Sequence, residues 1–93
     1  MKTFSTQQTV NISEKVRNEL VAAAEKHCQQ AVTLVERGSY GDIIKARRHL
    51  SDSEKLLSAA GDERAKVVRS MNAGLEPLEK KALMVQLRKI GEA

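Results

Sequence analysis

The sequence contains very few aromatic residues: one Phe, one Tyr and no Trp among 93 residues. Leu, Val, Ile and Ala must therefore build the interior, and this composition is typical of a helical bundle. The scarcity also disfavours recognition of single-stranded nucleic acid or RNA loops, because those binding modes stack bases on aromatic rings.

Cysteine and long apolar runs are equally scarce. The single Cys28 cannot form an internal disulfide, so the fold depends on burial of apolar side chains. No run approaches the roughly 18 apolar residues of a membrane-spanning helix, and the start MKTFSTQQTV lacks the apolar core of a signal peptide. We expect a cytoplasmic protein with no membrane partner.

Length and composition predict one small soluble domain. The chain has 93 residues, of which 41% are hydrophobic and 30% charged, close to the globular average. Residues 1–12 are polar and show no periodicity, so we interpret them as a flexible N-terminal lead-in. Residues 13–93 are then a single helical-bundle domain.

Two helices are predicted in the first two thirds of the chain. Ser13 is a candidate N-cap for an amphipathic helix that continues to Arg37, and Gly38 stands where a left-handed C-cap belongs. Asp42 is the candidate cap of a second helix, Ile43–Ala60. The short connection makes these helices antiparallel neighbours.

A third helix is predicted after the link Gly61–Asp62, beginning at Glu63. Gly74 and Pro77 would ordinarily interrupt it, yet the apolar spacing continues through them. The sequence therefore predicts an all-α fold, an up-down-up antiparallel three-helix bundle whose third helix is kinked or split near Gly74–Pro77.

The apolar spacing also predicts one core-facing stripe on each helix. The predicted stripes are Val16, Leu20, Ala24, Ala31 and Val35 on the first helix, Ile43, Ala46, Leu50, Ser53, Leu57 and Ala60 on the second, and Val68, Met71, Leu75, Leu78, Ala82 and Val85 on the third.

No residue pattern predicts catalysis or a cofactor. His27 and Cys28 are adjacent and point about 100° apart on a helix, while His49 lies on another helix. We interpret His27 as a partly buried residue with one hydrogen bond and Cys28 as a small apolar filler. The five glycines form no nucleotide-binding motif. We expect no metal, no cofactor and no enzymatic activity.

The excess of basic residues leaves a nucleic-acid alternative open. Lys and Arg number 16 against 12 acidic residues, with a net charge of +4. Phosphate contacts would fall to Arg47, Arg48, Arg64, Lys66 and Arg69. Because these alternate with Asp and Glu, an ordinary solvated polar face also accounts for them.

The turn between the first two helices carries a recognisable spacing. Gly38, Tyr40 and Ile43 follow the G-x-Y-x-x-A pattern, with Ile43 at the alanine position. The hairpin from Ala22 to Leu57 resembles those of tetratricopeptide-like and MIT modules, although Arg47 stands where an aromatic is usual. The resemblance implies a three-helix bundle that docks partner proteins, with Gly38 and Tyr40 as structural turn residues.

The third helix carries more apolar residues than one core-facing stripe requires. We predict that this apolar strip docks a partner helix or peptide, or a second copy of the chain, in an adaptor, chaperone or inhibitor role. The alternative is that the same residues complete the core or a homodimer interface. The predicted partner-binding residues are Val67, Met71, Met84, Leu87 and Ile90.

Overall fold

The computed structural model describes residues 13–92, which contain no strand. Their helical segments are α1 (Glu14–Arg37), α2 (Tyr40–Ala59), α3 (Arg64–Gly74) and α4 (Glu76–Glu92). Segments α3 and α4 are the two halves of a third helix, bent by 30° at residue 75. The predicted all-α three-helix bundle with a kinked third helix is confirmed. The predicted lead-in, residues 1–12, lies outside the described residues.

The ends of α1 form as the sequence predicts. The Ser13 hydroxyl accepts a hydrogen bond from the backbone N–H of Val16 at 3.1 Å, which satisfies one of the free donors of the first turn. At the other end Gly38 has φ 78°, and its N–H donates to the carbonyl of Leu34 at 3.2 Å. Only glycine adopts this left-handed geometry without strain.

The start of α2 differs from the prediction. The helix begins at Tyr40, three residues before Ile43, and its cap is Ser39 rather than Asp42. The backbone N–H of Asp42 donates to the Ser39 hydroxyl at 3.1 Å, and that hydroxyl donates to the Asp42 carboxylate at 2.8 Å. This reciprocal pair allows the helix to begin almost one turn earlier.

The link between α2 and α3 uses one glycine and one carboxylate. Gly61 has φ 72°, and the Asp62 N–H donates to the carbonyl of Leu57 at 2.9 Å, which closes the end of α2. The Asp62 carboxylate then accepts from the backbone N–H of Arg64 at 2.9 Å, but the N-cap is Glu63, whose side chain makes no capping hydrogen bond, so the predicted cap lies one residue too early. The helix begins at Arg64, one residue after the predicted Glu63.

The core is centred on α2, whose predicted stripe is entirely buried. The other stripes were predicted less well. Val16 is 44% exposed on α1, and the third helix buries nothing in α4. The stripe predictions fail at the outer parts of both helices because only α2 has a packed neighbour on both sides. The buried residues are Ala24, Ala31, Ile43, Ala46, Leu50, Ser53, Leu57, Ala60, Ala65 and Val68.

Arg47 fastens α2 to both halves of the bent third helix. Its Nε donates to the Asn72 side-chain carbonyl at 2.8 Å, and one terminal nitrogen donates to the Glu79 carboxylate at 2.8 Å. Asn72 lies in α3 and Glu79 in α4, and the Asn72 amide also donates to the Arg47 carbonyl at 3.3 Å. One half-buried side chain therefore spans the bend at residue 75.

Candidate partner-binding groove

The third helix packs against α2 and stands away from α1. Within the described helices, no Cα atom of α1 lies within 8 Å of one in the third helix. Two depressions of about 530 and 410 Å³ follow one another between these helices, with α2 as their floor. We call this feature the α1–α3 groove. Its lining residues are Ala24, Glu25, Cys28, Gln29, Val32, Val35, Glu36, Leu50, Ser53, Leu57, Arg64, Val67, Val68, Met71, Gly74 and Leu75.

The floor of the groove is fixed by a buried hydroxyl. Ser53 is fully buried and donates to the carbonyl of Ala24 at 3.0 Å, which ties α2 to α1. The Cys28 sulfur lies 3.1 Å from the same hydroxyl oxygen and is only half-buried. Because the hydroxyl proton goes to Ala24, the thiol is the donor of this second bond. Cys28 therefore packs against the core and also lines the groove, so it is half-buried where full burial was predicted.

Charged side chains close one end of the groove. Arg64 of α3 lies 3.6 Å from the Glu25 carboxylate of α1 and 2.8 Å from that of Asp62. The hydrogen bonds from the Arg64 side chain, followed by the one from its backbone, lower the pKa of Asp62 from 3.8 to about 2. The remaining charged residue of the lining, Glu36, lies at the other end, beside apolar walls.

The predicted apolar strip is divided between two faces of the third helix. All five predicted residues are exposed large hydrophobics. Val67 and Met71 line the α1–α3 groove, whereas Met84, Leu87 and Ile90 do not. At about 100° per residue, Leu87 points roughly 160° away from Met71 around the helix axis. The strip is therefore two surfaces, and only its α3 part belongs to the groove.

The groove also has a wall residue, Val32, that is not among the predicted partner-binding residues. Val32 of α1 is 52% exposed and lines the apolar depression opposite Met71. The sequence does indicate on which side of α1 Val32 lies, because Val32 follows Cys28 by four residues and borders the predicted core stripe. Its exposure could not be anticipated, because it depends on the distance between α1 and the third helix.

Most of the predicted phosphate-binding residues have partners within the molecule. Arg47 bonds Glu79, Arg64 bonds Asp62, and Arg69 donates to the Glu54 carboxylate at 2.7 Å. Only Arg48 and Lys66 of the predicted set have no ion pair among residues 13–92. An arginine that already neutralises a carboxylate has less charge to offer a phosphate, so this arrangement disfavours the nucleic-acid alternative.

The two histidines, which the sequence placed on separate helices, meet between α1 and α2. The Nδ1 atoms of His27 and His49 lie 2.8 Å apart, and the ring centroids lie 5.1 Å apart. A ring nitrogen lies about 1.2 Å from its ring centre, so the two nitrogens point almost directly at each other, and this geometry fits one Nδ1–H donating to the other Nδ1. The predicted single hydrogen bond of His27 is therefore made to His49.

Within residues 13–92, no group of three or more His, Cys, Asp or Glu side chains is placed to hold a metal ion. None of the described helices has the length and apolar character needed to cross a bilayer.

Comparison with known proteins returned no family model, no curated protein and no solved structure that matches the chain. The resemblance to tetratricopeptide-like and MIT modules therefore stays a prediction.

Proposed function

We propose that this protein is a non-enzymatic protein-binding module, of the adaptor, chaperone or inhibitor type, that docks a partner helix in the α1–α3 groove. The observation that carries this proposal is the open, apolar space between α1 and the third helix. Val32, Val67 and Met71 border it and are each about half exposed. Large apolar side chains on facing walls gain stability when a third apolar surface removes them from water.

The dimensions of the groove fit a helix. Along α1 it extends from Ala24 to Glu36, about 18 Å at 1.5 Å per residue, or roughly three turns. A helix laid there would contact α1, α2 and the third helix together, which gives the arrangement of a four-helix bundle. Such a partner supplies apolar anchors at positions i, i+4 and i+7.

The charges in the groove predict modest salt dependence. Glu25 and Arg64 pair with each other at one end, and Glu36 is the remaining charged lining residue. Because the walls are mainly apolar, binding should persist as the salt concentration rises, whereas phosphate binding through arginines would weaken steeply.

The proposal is tested by selecting ligands for the full chain from a library of helical 15-residue peptides. Met71→Glu places a charge on the groove wall and should weaken a selected peptide by at least tenfold. Val16→Glu is the matched control, since Val16 is 44% exposed but does not line the groove. It should leave the affinity unchanged.

Three outcomes would contradict the proposal. The first is a library that yields no ligand, and the second is a selected peptide that binds Met71→Glu as well as the wild type. The third is a self-associated chain in light scattering that Met71→Glu converts to monomer, because the occupant of the groove would then be a second copy.

A further inference from the structure

The outer face of α4 is a second exposed apolar surface, separate from the α1–α3 groove. We define it by Met84, Leu87 and Ile90, and the neighbouring Leu83 is half-buried. No residue of α4 is buried, and Met84, Leu87 and Ile90 are 52%, 50% and 64% exposed. Each isolated exposure would be ordinary, but three neighbouring exposed large apolar residues form a patch of the kind that marks an interaction site.

Helix geometry shows that this face is not the one that packs on the hairpin. Met84 and Ile90 lie roughly 60° on either side of Leu87, so the three residues share one sector. Ala82 and Val85 lie on the opposite side of the helix, beside Tyr40 at the start of α2. Val85 is itself 44% exposed, so that side is only partly covered, and the outer face has no cover among residues 13–92.

The charge around the outer face is mostly positive, although Glu92 follows Arg88 by four residues and is its neighbour on the helix surface. From Lys80 to Gly91 the helix carries four basic residues and no acidic one. Arg88 and Lys81 lie roughly 100° and 120° from Leu87, and so border one edge of the face. Residues 64–92 contain seven basic and three acidic residues, which equals the +4 net charge of the whole chain. Three of these basic residues lie in α3, and α4 itself has a net charge of +1, with its four basic residues all between Lys80 and Lys89.

We propose that the outer face of α4 binds an acidic amphipathic helix of a partner protein, one whose apolar stripe is bordered by Asp or Glu. The apolar residues supply the contact area, and Lys81 and Arg88 select the sign of the partner's charge. A second copy of this chain fits less well, because it would bring the same basic residues, Lys81 and Arg88, to a face that they already border. The proposal does not depend on occupancy of the groove.

The experiment measures binding of labelled 18-residue amphipathic peptides to the full chain by fluorescence anisotropy. One peptide carries a Leu stripe bordered by Glu, and its counterpart carries the same stripe bordered by Lys. At low salt the Glu peptide should bind at least tenfold more tightly than the Lys peptide. Added salt should narrow this difference, because the charges at the edge of the face are exposed.

Variants locate the contact. Leu87→Ser should weaken the Glu peptide by at least tenfold, while Val16→Ser, at a similarly exposed position of α1, should not. Arg88→Glu leaves the apolar face intact and should remove the preference for the Glu peptide. Met71→Glu, which alters only the groove, should leave binding unchanged and so separates this proposal from the function proposed above.

Four results would overturn the proposal. The first is equal binding of both peptides, and the second is an unchanged affinity of the Glu peptide for Leu87→Ser. The third is a wild-type dimer that Leu87→Ser converts to monomer, and the fourth is binding to phosphatidylserine vesicles without binding to the Glu peptide. The third result would assign the face to a second copy, and the fourth would assign it to an anionic lipid surface.

Discussion

At the scale of single residues, two glycines near the α1–α2 turn have opposite effects. Gly38 has a positive φ that an alanine adopts only with strain, whereas Gly41 lies within α2 with no atom within 4 Å of its added Cβ. Gly38→Ala should lower the free energy of unfolding by about 1 kcal/mol, and Gly41→Ala should raise it by about 0.5–1 kcal/mol. Urea unfolding measures both, and a shift of the two variants in the same direction would contradict this account.

Asp62 predicts a pH dependence at the same scale. Its pKa is lowered to about 2, so its stabilising contribution is complete above the ordinary value of 3.8 and is lost as the pH falls toward 2. The difference in stability between wild type and Asp62→Asn should therefore be constant above about pH 5 and shrink below pH 4. Glu63→Gln is the adjacent control. A difference that stays constant down to pH 2 would rule out the Asp62–Arg64 interaction as its cause.

The histidine pair shows how far residue contacts can be predicted from the sequence. His27 and His49 each lie 11 residues from Gly38, so the turn position places them at the same height in an antiparallel hairpin. Ser53 and Ala24, 15 and 14 residues from Gly38, lie at nearly the same height as each other for the same reason. Whether either pair makes contact depends on the rotation of each helix about its own axis, which the sequence spacing does not give.

At the scale of helices, Arg47 holds the bent third helix against α2. Arg47→Met removes its bonds to Asn72 and Glu79 and should lower the free energy of unfolding by about 1–2 kcal/mol. Arg48→Met is the matched control, because Arg48 is exposed and has no ion pair within the described part of the chain. Its effect should stay within about 0.5 kcal/mol. If both variants lowered the free energy of unfolding equally, the bonds of Arg47 to Asn72 and Glu79 would contribute nothing specific to stability.

The bend itself is tested by Pro77→Ala. Pro77 lies in the first turn of α4 and has no N–H to donate to the carbonyl of Ala73. An alanine restores that bond, so helicity by circular dichroism should rise and the unfolding free energy should increase by about 1–2 kcal/mol. Gly74→Ala adds helix propensity without this bond and should add only about 0.5–1 kcal/mol. A loss of stability in Pro77→Ala would show that the proline is needed to start α4.

The helices were more predictable than their packing. Glycines and capping residues mark the helix ends in the sequence, so the bounds of α1 were predicted within a residue. The start of α2 was predicted three residues too late, because Ser39 rather than Asp42 is its cap. The third-helix stripe was predicted to be buried along its whole length, yet Met71 and Val85 are exposed. Apolar spacing identifies the side of a helix but not whether a neighbouring helix covers it.

At the scale of the whole molecule, the arrangement of three helices leaves more apolar surface exposed than a closed bundle would. The third helix packs on α2 alone, which exposes the groove toward α1 and the outer face of α4. Three helices in a row require only two tight interfaces, and the short links after Arg37 and Ala60 enforce those two. The uncovered surfaces therefore follow from the topology, and they are where a partner can add its own helix.

The central claim, that the α1–α3 groove receives a partner helix, is tested most directly by methyl NMR of the full chain during titration with a selected peptide. The account predicts that the methyl signals of Val32, Val67 and Met71 shift together and saturate at one peptide per chain, while those of Val16 stay in place. Shifts confined to methyl groups outside the groove, or no shift at saturating peptide, would contradict it.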